Sequence, residues 1–60
     1  MDKAEYRSIR LKLGLSQSGL ARLVGVTRET VNKRESGLNV ITQEAELAII
    51  NLKLNIKNAK

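Results

Sequence analysis

Gly14, Gly25 and Gly37 cut a proline-free chain into short segments, and each is followed by a hydroxyl residue, Ser16, Thr27 or Thr42, suited to open a helix. Glycine closes a helix by entering the left-handed region, and a serine or threonine hydroxyl accepts from the free amides at the next helix start. From about Lys3 to Leu13, the apolar residues Tyr6, Ile9 and Leu13 recur at three- and four-residue steps, joined by the alanine Ala4, with Arg7, Arg10 and Lys12 between them. That periodicity predicts an amphipathic helix ending at Gly14, with Leu15 covering the junction. A second helix, Gln17 to Val24, turns Leu20, Ala21, Leu23 and Val24 inward. The third, from Arg28 to about Glu35, has in Val31 its one clearly apolar interior residue. A helix that adds so little to a core has a reason to persist if its polar face contacts something. Leu38 to Ile41 reads as a loop with buried apolar anchors, Thr42 caps a fourth helix to about Leu54, and Lys57 to Lys60 form a frayed tail. Strand-like alternation is not sustained, so the expected class is all-α, a compact four- to five-helix bundle in one domain over residues 1–56.

Sixty residues allow a single small core whose stability is marginal without help from a partner. There is no cysteine and no histidine, so neither a disulfide nor a soft-ligand metal site is expected, and no cofactor is implied. The carboxylates are scattered, and Ser16 and Ser36 have no base in sequence reach, which argues against an enzyme. No apolar run is long enough to cross a bilayer and the start lacks a signal-peptide pattern, so the expected location is the cytoplasm, at the nucleoid.

Eleven Lys and Arg against six Asp and Glu give a formal charge of +5, which favours a polyanionic partner. Tyr6 is the only aromatic residue, leaving no stacking platform for single strands or RNA loops. Double-stranded DNA is therefore the preferred partner.

The run Ser16-Gln17-x-x-Leu20-Ala21-x-x-x-Gly25-Val26-Thr27-x-x-x-Val31-x-x-x-Glu35-x-Gly37 resembles the helix-turn-helix of phage Cro and lambda-type repressors. With Ile9, Arg10, Leu13 and Gly14 the likeness extends over about two thirds of the chain. Ala21 is small where two helices cross, Gly25 permits the tight turn, Val26 plugs the corner and Val31 anchors the third helix. The resemblance implies a lambda repressor-like fold whose third helix enters the major groove, with Arg28, Glu29, Asn32 and Lys33 facing the bases. Arg28 and Lys33 suit guanine, Asn32 suits adenine, and Glu29 accepts from cytosine or orients Arg28. Gln17, at the amino end of the second helix, is the leading phosphate contact, with Thr27, Thr30, Arg7 and Arg34 as further candidates. The resemblance also pairs Arg10 with Glu35 as a structural ion pair. Two positions depart from the pattern: Arg34 stands where a large apolar residue is usual, and Gly19 replaces a helix-favouring polar residue. A fifth helix carried by longer relatives is not expected.

At 100° per residue the fourth helix has two apolar stripes, Ala45, Ala48, Ile49, Leu52 and Ile56 on one side and Leu47, Ile50 and Leu54 on the other. One stripe closes the monomer core and the other is expected at a homodimer interface; both are apolar enough for either role, and Leu47, Ile50 and Leu54 are taken as the interface. A twofold dimer sets two reading helices about 34 Å apart and implies a palindromic operator. The expected function is a phage or bacterial transcription regulator, most simply a repressor, with no small-molecule effector. Antitoxins and restriction-control proteins use the same module and remain open readings, as does a protein-interaction module built on the second stripe.

Overall fold

The computed structural model describes residues 1–58, with side chains as far as Asn55. Four α-helices follow one another: α1 Lys3–Lys12, α2 Gln17–Val24, α3 Arg28–Ser36 and α4 Gln43–Asn58. The described residues contain no strand, so the expected all-α class holds with four helices. The tail expected at Lys57 to Lys60 overlaps α4 at Lys57 and Asn58, while Ala59 and Lys60 lie outside the described residues.

Every helix opens on a side-chain oxygen. Asp2 Oδ1 accepts from the Glu5 amide at 2.8 Å, Ser16 Oγ from Gly19 at 3.0 Å, Thr27 Oγ1 from Thr30 at 3.2 Å and Thr42 Oγ1 from Ala45 at 3.2 Å. Each such cap is worth about 1 kcal/mol. The three inter-helix glycines all have positive φ, and the residue after each donates its amide five residues back: Leu15 to Arg10 O, Val26 to Ala21 O and Leu38 to Lys33 O. This closure satisfies carbonyls that a helix end otherwise leaves unpaired. At Gly25, φ is 78°, which an L side chain rarely adopts, and the tight α2–α3 turn depends on it.

The core is a cluster of Tyr6, Ile9, Leu20, Ala21, Val31 and Ile49, with Ala45 also buried. α2 and α3 pack most extensively on each other, and α1 and α4 close the bundle around them. Ala21 is buried between these helices, where a larger side chain would force them apart. Leu15 and Val26, which follow the first two glycines, pack against the cluster. α4 presents Ala45 and Ile49 to the core, with Ala48 half-buried and Leu52 packed against it, so the first stripe faces inward; the Ile56 side chain lies outside the described part.

Three expectations are corrected. Leu38 is 77 % exposed and Val40 84 % exposed, so only Ile41 anchors this loop. One anchor seats the short connection between α3 and α4, and the other apolar side chains of the loop are left in water. Leu23 is exposed, because Leu20, Ala21 and Val24 already fill the arc of α2 that its neighbours cover. Ala4 is exposed as well, beyond the edge of the face set by Tyr6 and Ile9.

Candidate nucleic-acid interface

α3 is held by one fully buried side chain, Val31, and by Glu35 in its last turn. Arg10 Nε donates to Glu35 Oε2 at 2.7 Å and its Nη2 to Oε1 at 3.1 Å, while Nη1 donates to the Leu15 carbonyl at 2.8 Å. The two side chains are only 9 % and 5 % exposed. One planar guanidinium therefore fixes α1, the α1–α2 turn and the far end of α3 together. Gln17 joins the same group, its Nε2 donating to Glu35 Oε1 at 3.2 Å.

With its inner side fastened, α3 leaves Arg28, Glu29, Asn32 and Lys33 exposed. The Glu29 carboxylate lies 3.6 Å from the Lys33 ammonium one turn on, so in the free protein Glu29 restrains Lys33. Both groups are exposed, so the pair adds little to stability, and it holds an acceptor and a donor side by side on the outer surface of the helix. At the start of α3, the hydroxyls of Thr27 and Thr30 are 3.0 Å apart. One hydroxyl proton is taken by that bond, which leaves the other free for an acceptor outside the protein.

The remaining charges are distributed unevenly. Arg7 is exposed and lines, with Arg10, Gln17, Asn32, Glu35 and Ser36, a polar cleft of about 190 Å³ between α1, the start of α2 and α3. Gln17 keeps a second amide proton beyond the one given to Glu35, at a helix end where free backbone amides favour an anion. Arg34 is half-buried; its Nη1 donates to the Tyr6 hydroxyl at 3.2 Å and its guanidinium carbon lies 5.9 Å from the ring centroid. Its charge is thus directed into the bundle, over the aromatic face. On α4, Leu47 and Leu54 are exposed, whereas Ile50 is half-buried and packs against the core, so these three residues do not form one uniformly free stripe.

Sequence reasoning passed over several of these contacts. Asp2, three residues before Glu5 and ahead of an apolar periodic run, carries a legible capping signal. A buried tyrosine calls for a hydrogen-bond partner at its hydroxyl, but no sequence signal names Arg34 as that partner. The Gln17–Glu35 bond has no sequence signal, because it depends on how α2 and α3 cross.

The chain matches the model of the helix-turn-helix family over residues 7–52 and belongs to that family, which is related to regulators of the Cro and lambda-repressor type. Membership carries a DNA-binding regulatory role. Comparison with curated proteins and with solved structures gives no significant match. Among the described residues, no helix is long and apolar enough to cross a membrane, and no three acidic side chains converge as metal ligands.

Proposed function

We propose that the protein is a transcriptional repressor that binds a palindromic operator as a homodimer and reads the major groove with α3. The observation that carries this reading is the outward set Arg28, Glu29, Asn32 and Lys33 on a helix whose opposite side is locked by Val31 and the Arg10–Glu35 pair. Rigid backing matters because a base-edge hydrogen bond discriminates only when its donor is held in place. Arg28 and Lys33 recognise guanine O6 and N7, Asn32 recognises adenine, and Glu29 tunes Lys33 or accepts from cytosine. Gln17, Arg7 and whichever of the Thr27 and Thr30 hydroxyls keeps a free proton engage phosphates on either side of the groove. Arg34 reaches the duplex through its field, since its hydrogen bond is made to Tyr6. Leu47 and Leu54, with the outer edge of Ile50, meet their twofold mates in the dimer. No catalysis and no effector ligand is part of this reading, and the protein works at the nucleoid.

Selection of bound sites from a random duplex library tests the proposal, with the double variant Arg28→Ala, Lys33→Ala run in parallel. The parent enriches a palindrome with half-sites one helical turn apart, and the variant does not. Affinity for the selected site falls steeply with salt, with a log–log slope of about −0.9 for each phosphate neutralised. Absence of enrichment at moderate salt, with a folded parent, overturns the reading and returns the chain to the protein-interaction alternative.

A further inference from the structure

The outer face of α1 carries a groove that shares only Arg7 with the proposed DNA-binding surface. The groove is open, with a volume of about 600 Å³, and its floor includes Ala4 and Leu11, the latter 56 % exposed. Its rim is cationic: Lys3, Arg7 and Lys12 line it, and among the described residues none of the three makes an ion pair. The one acid bordering it, Glu35, is already bound by Arg10 and Gln17. Within the groove the positive charge is therefore uncompensated, and it surrounds an apolar floor.

That combination discriminates between occupants. A phosphate backbone satisfies the cations but leaves Leu11 in water, because a duplex offers no apolar surface at the level of its phosphates. An uncharged apolar partner covers Leu11 but gains nothing from three neighbouring cations. A helix with an apolar stripe flanked by carboxylates satisfies both, burying its anchor against Leu11 and Ala4 while the acids meet Lys3, Arg7 and Lys12. We infer that the α1 groove is a docking site for an acidic amphipathic helical segment of a partner protein. The inference does not require the proposed operator reading: it rests on Leu11, Lys3 and Lys12, which lie outside the residues assigned to DNA, and Arg7 alone is shared with the proposed phosphate contacts.

A displayed library of random helical peptides, selected on the full chain, tests it. The enriched peptides carry acidic residues flanking large apolar residues at three- and four-residue spacing. Binding, followed by fluorescence anisotropy on a synthesised winner, weakens at least about tenfold with Leu11→Asp and similarly with the double reversal Lys3→Glu, Lys12→Glu. Leu11 is exposed, so its variant keeps the parent's helical circular dichroism, which separates lost docking from lost folding. The inference is overturned by failure to enrich any acidic amphipathic peptide, or by a winner that binds Leu11→Asp as well as the parent. It is equally overturned if the lysine reversals abolish DNA binding and leave the peptide bound, which makes the rim a phosphate surface. Sedimentation showing self-association that depends on Leu11 overturns it in favour of a second copy of the chain.

Discussion

Arg10 makes three directed contacts, two to Glu35 and one to the Leu15 carbonyl, and none of them faces water freely. Removing either charge leaves the other buried and unpaired, at a cost of about 3–5 kcal/mol, whereas replacing both by apolar groups is close to neutral. Glu35→Ala alone should therefore unfold much of the population at 25 °C, and Arg10→Met with Glu35→Leu should recover most of the lost stability in urea melts. The pairing was legible only through the resemblance, because nothing in the spacing of residues 10 and 35 brings them together. Another contact between distant residues carries a pH signature. The Met1 amine donates to Glu46 Oε1 at 2.9 Å, and that hydrogen bond, reinforced by the carboxylate charge, raises its pKa above the ordinary 8.0. A raised folded-state pKa contributes stability that is fully present below pH 8.0 and is lost as pH climbs through the raised value. With the amine free, the melting temperature should decline above pH 8, and Glu46→Gln should lower it at neutral pH while flattening that decline.

At the level of elements the chain is unusually explicit about its boundaries. Ser16, Thr27 and Thr42 cap where their spacing placed them, and Gly14, Gly25 and Gly37 take positive φ at the helix ends. These are local properties, decided within a few residues, and so they are visible in a sequence. What the loop after α3 does is not local: Ile41 packs against the core while Leu38 and Val40 are exposed, and that division is set by where the loop meets the assembled bundle. Gly19 is the weak point of α2, since its backbone is helical and alanine is favoured there by about 1 kcal/mol. An added Cβ would sit 3.3 Å from the capping Ser16 Oγ and 3.5 Å from Leu15 Cδ2, so the cap must yield slightly. Gly19→Ala should accordingly raise stability by less than the full 1 kcal/mol, a melting shift of at most about 4–8 °C. A drop in melting temperature would mean that the Ser16 cap is worth more than the helix preference of alanine.

For the molecule as a whole, the sequence specified the class, the order of helices and the presence of two apolar stripes on α4, because periodicity reports which sides of a helix are apolar; which stripe turns inward was decided only by the packing of Ala45 and Ile49. The sequence did not divide the second stripe, where Ile50 leans on the core and Leu47 and Leu54 do not, since that depends on the angle at which α4 crosses α1 and α2. The candidate site was legible as a set of exposed polar residues on α3, while the Gln17 and Arg34 contacts needed the assembled bundle. A chain of 60 residues buries only about 60 % of its unfolded surface, which leaves it close to its stability threshold. If Leu47 and Leu54 associate as proposed, the melting temperature should rise with protein concentration, and Leu47→Glu should remove that dependence. The side-chain caps and glycine closures also set how quickly the bundle assembles. Each turn is specified by groups within about five residues, and the α2–α3 unit packs between sequence neighbours, so little chain entropy is lost before contacts form. Relaxation after a temperature jump should fall in the microsecond-to-millisecond range, with docking of α4 against α1 as the late event, and a transiently unfolded copy should regain its structure well before it can aggregate.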